Sequence, residues 1–227
     1  DPVTGEALGL RAEEQRTNLL RRSNEFADAS WALSGAVGTV VSDAITAPDG
    51  TLTADKIVEA NGASNTHGRR QAVTGMTAAS THRFTFYAKA GERSHVRCWG
   101  YSGAGNTSPA VFTLIGAGSI LHGVQGNPSI KHIGNGWYRC ERNIVTIAAE
   151  TTQGVHIGPH DGVTVVGSSY TGDGASGVYV WGAQLEVGAF ASSYIPTTTS
   201  SATRLSDSLS YAIAGTPEGT IVVSART

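Results

Sequence analysis

The chain has 227 residues, of which 40% are hydrophobic and 15% are charged, enough for one large all-β domain or two small ones. Its 16 basic and 18 acidic residues give a net charge of −2 with no basic stripe, which argues against a nucleic-acid partner. No run approaches the roughly 18 apolar residues of a membrane span, and the 29 glycines indicate many short strands joined by tight turns.

The N-terminal 30 residues are predicted to form a segment of their own that packs on the main domain. Residues 17–20 favour a strand, although helix-forming residues between positions 11 and 22 leave a helix as the alternative. Residues 23–29 contain cap and turn residues that suit one helical turn. Because the sequence starts at Asp1 with neither an initiator Met nor a signal-like segment, we expect it to be part of a longer polypeptide.

From residue 36 to residue 190, short strand-like runs recur about every eight to twelve residues. The predicted strands cover residues 36–41, 54–59, 69–74, 81–90, 94–101, 110–114, 120–124, 129–133, 136–147, 154–157, 163–166 and 177–187. Turn dipeptides such as Asp49-Gly50 and Asp173-Gly174 separate them, and helix-sized segments are lacking. The pattern predicts an all-β fold, with residues 31–196 forming an antiparallel β-sandwich of jelly-roll type.

Residues 197–227 are predicted to be a C-terminal linker or arm. Threonine and serine dominate residues 197–203, which is typical of an extended connection. Further strands are predicted over residues 207–212 and 219–224. The second is consistent with the start of another domain that the sequence cuts short.

Cysteine and tryptophan residues mark the predicted core. Cys98 and Cys140 lie in apolar strand-like runs, and two thiols do not make a disulfide framework. We therefore expect two reduced core cysteines in preference to a bridge between sheets. Trp31, Trp137 and Trp181 are expected to be packing residues, as large aromatic residues of half-buried strands usually are.

Several short motifs, spread in order along most of the chain, are informative together. They are Asp1-Pro-Val-Thr-Gly-Glu6, Arg16-Thr-Asn-Leu-Leu20, Ala47-Pro-Asp-Gly-Thr51, Phe84-Thr-Phe-Tyr-Ala-Lys-Ala-Gly-Glu-Arg-Ser94, Gly134-Asn-Gly-Trp-Tyr-Arg-Cys140, and Trp181-Gly-Ala-Gln-Leu-Glu186 through Tyr194-Ile-Pro196. In this order and spacing they resemble a carbohydrate-binding domain of phage tail and virion fibre proteins, from residue 1 to about residue 207. The resemblance implies a jelly-roll relative of the carbohydrate-binding modules attached to polysaccharide-degrading enzymes.

That resemblance also implies partners and a location. In virion proteins the family is linked to adsorption on host surface glycans, so we expect a bacterial surface polysaccharide as ligand and other virion proteins as neighbours. By analogy with fibres a homotrimer is expected, located in the tail or surface fibre of the virion. Many sugar-binding jelly rolls also hold a structural calcium between acidic residues of the first and last strands. The last strand here offers Gln184 and Glu186 without the paired aspartates of such sites, so no cofactor is expected, with a structural calcium as the less favoured alternative.

Sugar recognition requires aromatic rings against the apolar face of a pyranose and polar side chains around its hydroxyl rim. In the predicted strand 94–101, alternation places Arg97, Trp99 and Tyr101 on one face and small apolar residues on the other. We predict that this row faces solvent and binds sugar. The alternative is that Trp99 and Tyr101 pack under a loop or against a second subunit.

Two further polar groups are candidate sugar-binding residues. His67, Arg69 and Gln71 share one face of a predicted strand, and a solvated strand face without function is the favoured interpretation of each of them. His156, His160 and Asp161 form a third polar cluster near a turn. No second cluster at metal-ligand spacing accompanies them, so no metal site is expected.

No arrangement of catalytic residues stands out in the sequence. A glycosidase needs two carboxylates about 5 to 10 Å apart across a cleft, and no spacing here singles out a pair. A polysaccharide lyase would need a Tyr or His base beside an arginine, a combination that many sandwich surfaces offer. Serine catalysis has no support either, because the sequence contains no Gly-x-Ser-x-Gly nucleophile elbow. We therefore predict a non-catalytic glycan-binding module. The alternatives are a structural virion module that binds no sugar and, less favoured, a polysaccharide lyase or glycosidase.

Overall fold

The computed structural model describes residues 12–35, 38–102, 105–106, 109–123, 125–146, 152–163 and 169–208, with the backbone alone at residues 63–64, 101–102, 105–106 and 152. Within these ranges the chain forms 17 strands and no helix, which confirms the predicted all-β class. The strands are β1 (Arg16–Asn18), β2 (Ala32–Leu33), β3 (Val40–Ile45), β4 (Ala54–Val58), β5 (Asn61–Asn65), β6 (Arg69–Thr74), β7 (Thr81–Ala90), β8 (His95–Ser102), β9 (Gly105–Asn106), β10 (Ala110–Thr113), β11 (Ser119–His122), β12 (Ser129–Gly134), β13 (Trp137–Val145), β14 (Thr152–His160), β15 (Tyr170–Asp173), β16 (Gly177–Val187) and β17 (Ala202–Arg204). Accordingly, the described part of the chain holds no helix long and apolar enough to cross a bilayer.

Two larger antiparallel sheets dominate the fold. The seven-stranded sheet has the order β11-β10-β8-β14-β6-β2, with β9 paired to β8. The six-stranded sheet has the order β12-β13-β7-β16-β4-β3. Two small sheets, β1-β17 and β15-β5, complete the described architecture. Most neighbouring strands are distant in sequence, so the sheets depend on repeated crossovers of the chain.

One large hydrophobic cluster is formed by the facing sides of the two larger sheets. Phe84 and Phe86 of β7 contribute from the six-stranded sheet, and Val96 and Cys98 of β8 contribute from the seven-stranded sheet. Successive side chains of a strand point to opposite faces, so the residues between these point away from the cluster. The cluster is the main core of the protein.

The N-terminal segment contributes to this core. Leu20, Phe26 and Trp31 are buried in the same cluster, which confirms the packing role predicted for Trp31. The rings of Phe26 and Trp31 lie 4.7 Å apart between centroids. The segment is therefore part of the folded unit, while the predicted domain boundaries at residues 30 and 196 stay predictions.

The buried amide of Asn18 joins the N-terminal segment to β16 and to the chain that follows it. Its Nδ2 donates hydrogen bonds to the carbonyl oxygens of Ala183 (3.1 Å) and Ile195 (2.9 Å). Its Oδ1 accepts hydrogen bonds from the amides of Leu20 and Leu185, both at 3.1 Å. Because β1 also pairs with β17, the two ends of the described chain lie side by side.

Most predicted strands are present with shifted boundaries, but five short strands were not foreseen, namely β2, β5, β9, β15 and β17. The sequence of β5 is Asn-Gly-Ala-Ser-Asn and that of β15 is Tyr-Thr-Gly-Asp, compositions that are typical of turns. Residues 23–29 form turns without a helix. The strands predicted over residues 163–166, 207–212 and 219–224 fall largely or wholly outside the described residues.

Cys98 and Cys140 are fully buried and free, which confirms the predicted pair of reduced cysteines. Burial raises the pKa of the Cys98 thiol to about 12. Burial likewise raises the pKa of Cys140 well above its ordinary value. Both thiols therefore stay protonated at neutral pH, where a protonated thiol is a poor nucleophile.

Candidate functional site

Arg97 and Trp99 lie on the outer face of the seven-stranded sheet, as the alternation of β8 predicts. This face is covered, however, since Arg97 is 0% and Trp99 is 8% exposed. The prediction that they form a solvent-facing row is therefore wrong, because strand periodicity gives the face of a side chain and not what lies on that face. The side chain of Tyr101 lies outside the described residues. A sugar-binding role for the three residues stays a prediction.

The cover is built by the small β5–β15 sheet and by the turn that leads into β6. The ring centroid of the buried Tyr170 lies 4.5 Å from that of His67 and 6.0 Å from that of His160. The turn approaches β14 so closely that a Cβ on Gly68 would lie 2.7 Å from Cε1 of His156. His67, His156 and His160 therefore pack inside the protein instead of meeting water.

Stacked rings and a guanidinium fill the space beneath this cover. The ring centroids of His156 and Trp99 lie 3.4 Å apart with an interplanar angle of 16°, and Cζ of Arg97 lies 4.9 Å from the Trp99 centroid. Burial and the charge of Arg97 lower the pKa of His156 well below its ordinary value. The Trp99 ring thus has its stacking partners within the protein, and His156 is neutral at physiological pH.

His67 is an interior residue, so the solvated strand face predicted for it is wrong. The Ala60 amide donates a hydrogen bond to Nδ1 of His67 at 3.2 Å, and Nε2 of His67 donates to the Tyr170 carbonyl at 3.1 Å. Both ring nitrogens are used, which fixes a neutral tautomer. His67 therefore positions β5 and β15 on the seven-stranded sheet.

Gln71 is also buried, so it too departs from the predicted solvated face. Its side-chain amide exchanges two hydrogen bonds with the backbone of Arg21, at 2.7 and 2.8 Å. Arg69 is half-buried and donates from Nη2 to the Gly38 carbonyl at 3.4 Å. The contacts of these two side chains are with the backbone of neighbouring segments.

The cluster predicted near residue 161 is only partly assembled. Asp161 is half-buried at the end of β14, whereas His156 lies deep beneath the cover on Trp99. The Gly162 amide donates to Nδ1 of His160 at 3.0 Å, and burial together with the charge of Arg97 lowers the pKa of His160 to about 4. Across the described ranges, no group of three or more His, Cys, Asp or Glu side chains could hold a metal ion.

A buried carboxylate that the sequence did not single out, Glu59, ties the cover to the rest of the fold. Arg93 donates two hydrogen bonds to it, at 2.9 and 2.6 Å. The Tyr170 hydroxyl and the Asp173 amide each donate one more, at 2.9 Å. Glu59 is 1% exposed, and such a desolvated charge is tolerated only with this number of partners. This face of the protein is thus a structural polar layer.

The outer face of the six-stranded sheet carries a different set of aromatic and charged residues and is only partly covered. We term this surface the aromatic face and define it by Trp137, Lys89, Tyr179, Tyr87 and Trp181. Trp137 and Trp181 are 3% and 5% exposed, which confirms their predicted packing role, although they form a second cluster outside the main core. Lys89, Tyr87 and Tyr179 are half-buried and reach the surface.

Strand register arranges these side chains in rows across the sheet. Lys89 of β7 is the cross-strand partner of Trp137 on β13 and of Tyr179 on β16. The next row on the same face consists of Arg139, Tyr87 and Trp181. Residues far apart in sequence therefore meet here because β7 lies between β13 and β16.

Hydrogen bonds and ring contacts fix the aromatic face in place. Nε1 of Trp137 donates to the Thr46 carbonyl at 3.3 Å, and Nε1 of Trp181 donates to Oγ1 of Thr53 at 3.1 Å. The Tyr87 centroid lies 5.3 Å from that of Trp181, at an interplanar angle of 60°. Buried indoles thus form a rigid support for the half-exposed tyrosines.

A groove of about 280 Å³ opens beside Trp137 at one end of the aromatic face. It is lined by Thr46, Ala47, Pro48, Lys89, Ile133, Gly134, Asn135 and Trp137. Asn135 and Gly136 have φ values of 50° and 75° and form the tight turn from β12 to β13, a conformation that suits these two residue types. The exposed Asn135 side chain lies at the groove.

Sequence reasoning did not single out Lys89 or the half-exposed tyrosines as site residues. One signal was present on β16, where Val178 and Val180 alternate with Tyr179 and Trp181. Apolar or aromatic residues on both faces of a strand indicate packing on both sides of its sheet. The pattern therefore pointed to a second aromatic surface, but not to the lysine beside it.

The two residues that the resemblance would place near a calcium site have partners within the protein. Nε2 of Gln184 donates to Oε1 of Glu186 at 2.9 Å, and Oε1 of Gln184 accepts from the Ile195 amide at 2.7 Å. The amide and the hydroxyl of Ser192 donate to the two carboxylate oxygens of Glu186, both at 2.8 Å. These contacts hold the chain after β16 against the sheet. The expectation that the protein has no cofactor stays a prediction.

No protein-family profile matches the chain, and no curated protein matches it. Among solved structures, it is similar to the enzymatically active domain of tailspike protein 4 from bacteriophage CBA120, with 13% identity and a TM-score of 0.44 over 75% of this chain and 21% of that one. It therefore spans about a fifth of that tailspike chain. It is also similar to a protein of Bacteroides thetaiotaomicron VPI-5482 provisionally described as sugar binding, with 14% identity and a TM-score of 0.21 over 86% of this chain and 89% of that one. Since both TM-scores are below 0.5, neither likeness carries an argument about fold or function.

Proposed function

We propose that this protein is a non-catalytic glycan-binding module of a phage or phage-like particle that attaches to host surface polysaccharide. The observation that carries the proposal is the aromatic face, where the half-exposed Tyr179 is the cross-strand neighbour of Lys89, which lines a groove together with Asn135. Aromatic rings stack on the apolar face of a pyranose, and amide or charged groups bind its hydroxyl rim. The motif resemblance found in the sequence supports the same function.

The proposal includes a fold of jelly-roll type. The first principal strand, β4, lies beside the last, β16, and β6 lies beside β14 in the other large sheet. This strand order supports a sandwich built from two Greek keys, as in jelly rolls. Such a fold presents one broad sheet face to solvent, which suits the binding of a polymer.

Binding is proposed to occur without cleavage. A glycosidase would need two carboxylates about 5 to 10 Å apart, and Lys89 is the one charged residue among the described residues that line the groove. A small, solvent-exposed contact between sugar and protein yields little net free energy of binding once the entropic costs of association are subtracted. The affinity of a single site is therefore weak. Display of several copies, as in a trimer joined to other virion proteins in a tail or surface fibre, raises the effective affinity roughly 10²- to 10⁴-fold.

The test is binding of the purified chain to an array of bacterial surface polysaccharides, followed by calorimetric titration with the strongest binder. Tyr179→Ala is expected to weaken binding about 3- to 10-fold, because a ring contact contributes roughly 0.5–1.5 kcal/mol. Phe190→Ala is the matched control, since Phe190 is 80% exposed but is not part of the aromatic face. No binding at all, or equal losses in both variants, would refute the proposal. Release of reducing ends or unsaturated uronates would show an enzyme instead.

A structural virion module is the second candidate, and exposed apolar residues on two edge strands favour it. Ile120 and Leu121 of β11 are each 38% exposed, and Ile133 of β12 is 39% exposed. These strands form the edges of the two larger sheets, and unpaired edges readily pair with another chain. Two results together would establish this candidate. Light scattering would show a trimer at every protein concentration that the substitution Ile120→Lys dissociates, and neither the wild-type protein nor the variant would bind any glycan.

A further inference from the structure

We infer that the groove of the aromatic face selects acidic polysaccharides, with the Lys89 ammonium binding a sugar carboxylate. The inference rests on the proposed glycan-binding function and specifies the class of glycan. Lys89 is the sole charged side chain among the described residues that line the groove. The ligand chemistry therefore depends on what this lysine can bind.

Lys89 is held between two aromatic residues and over a turn. Its cross-strand partners are Trp137 and Tyr179. A Cβ on Gly136 would lie 3.3 Å from Cε of Lys89 and 3.8 Å from its Nζ, so the lysine stem packs on the β12–β13 turn. Packing of the stem with the charged end toward water is the usual arrangement of a half-buried lysine. The ammonium is thus kept near the groove.

Other half-buried cations of the same sheet already have carboxylate partners. Nζ of Lys56 lies 2.7 Å from a carboxylate oxygen of Glu92, and Nε of Arg139 lies 2.8 Å from one of Glu141. No carboxylate in the described part of the chain lies within salt-bridge distance of Lys89. Lys89 therefore differs from these neighbours in having its charge available to a ligand.

A carboxylate is the chemistry that fits this arrangement. An ammonium that has lost part of its hydration gains most from an anionic acceptor, because charge-assisted hydrogen bonds are the strongest ones available to it. Tyr179 offers a ring for the apolar face of the same sugar, and Asn135 offers an amide for its hydroxyls. The whole chain carries a net charge of −2, so a preference for an acidic polymer has to arise locally.

The experiment compares uronate-containing capsular polysaccharides with their carboxyl-reduced forms, which keep every linkage and lose the charge. Wild-type protein is expected to bind the acidic form about 10-fold more tightly than the reduced form, as one charged hydrogen bond allows, and added salt is expected to reduce this preference. Lys89→Gln should abolish the preference, so that the acidic and reduced forms bind with similar affinity, whereas Lys89→Arg should keep it. Lys131→Gln is the matched control, because Lys131 is an exposed lysine of β12 outside the groove.

The outcomes separate this inference from the function on which it rests. Equal binding of acidic and reduced forms, or a preference that persists in Lys89→Gln, overturns the inference while glycan binding stands. Binding of neither form, nor of any neutral polysaccharide, overturns both. Thermal unfolding of each variant verifies that a loss of binding reflects the side chain and not the fold.

Discussion

The imidazole of His156 lies flat against the indole of Trp99, with ring centroids 3.4 Å apart and planes inclined by 16°. Both residues are buried, and neither ring nitrogen of His156 has a hydrogen-bond partner among the described residues. Protonation would place an uncompensated imidazolium beside Arg97, at a high cost in free energy. The stability of this layer therefore depends on histidines that remain neutral.

The free energy of unfolding should fall as the pH decreases below about 6.5. Burial lowers the pKa of both His156 and His160 from 6.5, the latter to about 4. The unfolded chain therefore takes up protons first, and stability is lost from pH about 6.5 down to about 4, by up to about 1.4 kcal/mol per pH unit for each histidine. Urea unfolding measured at about pH 7.5 and about pH 5 checks this loss.

Two variants serve as controls for this pH dependence. His160→Gln should reduce the slope because it removes one of the groups that bind a proton only after unfolding. His132→Gln is the matched control, because His132 is an exposed histidine. A stability that stays constant between the two pH values would show that the buried histidines are not the cause.

Glu59→Ala should destabilise the protein by about 3 kcal/mol or more, as loss of one partner from a buried ion pair does. The substitution removes the acceptor of hydrogen bonds from Arg93, the Tyr170 hydroxyl and the Asp173 amide. Glu92→Ala is the matched control, because the Glu92 side chain is 54% exposed in its ion pair with Lys56 and should contribute less than about 1 kcal/mol. Denaturant unfolding of both variants gives the comparison, and similar values would contradict the anchoring role of Glu59.

Trp99→Ala should lower stability by about 3 to 5 kcal/mol, because it leaves a cavity beneath the cover. If the aromatic face is the binding surface, the folded fraction of this variant should bind polysaccharide with wild-type affinity. Titration under conditions where circular dichroism shows a folded variant separates the two effects. Loss of binding at unchanged stability would instead support the sugar-binding role predicted for Trp99 from the sequence.

Asn18→Ala should destabilise the protein by about 1 to 3 kcal/mol, the cost of leaving buried polar groups without partners. The substitution orphans the carbonyl of Ala183 and the amide of Leu185, both of which Asn18 satisfies. Asn61→Ala, at an exposed position of β5, is the control and should change stability by less than about 0.5 kcal/mol. A loss of similar size in both variants would indicate that the Asn18 bonds do not anchor the N-terminal segment.

Part of the architecture was predictable from local patterns. The spacing of short strands gave the all-β class, and alternation along β8 correctly assigned Val96 and Cys98 to the core. Residue type and strand context predicted that Trp137 and Trp181 pack. These predictions succeed because the period of a strand and the burial of large aromatic residues are properties of short stretches of chain.

The candidate site was not predictable in the same way. Arg97 and Trp99 have the residue types of a sugar-binding row, yet both are buried, and the sequences of the two strands added on this side of the sheet, β5 and β15, resemble turns. No local pattern marks a strand of this composition as a third layer. The residue types of Arg97 and Trp99 are therefore compatible both with an exposed sugar-binding row and with a buried stack, and the sequence does not distinguish the two.

The sequence by itself determined the strand class, the facing of individual side chains and the packing role of Trp31, Trp137 and Trp181. Only the tertiary structure decided which polar face is buried, and it alone brought Lys89 between Trp137 and Tyr179. The reason is physical: alternation follows from the covalent geometry of one strand, whereas lateral neighbours depend on the pairing order and register of strands that are distant in the chain.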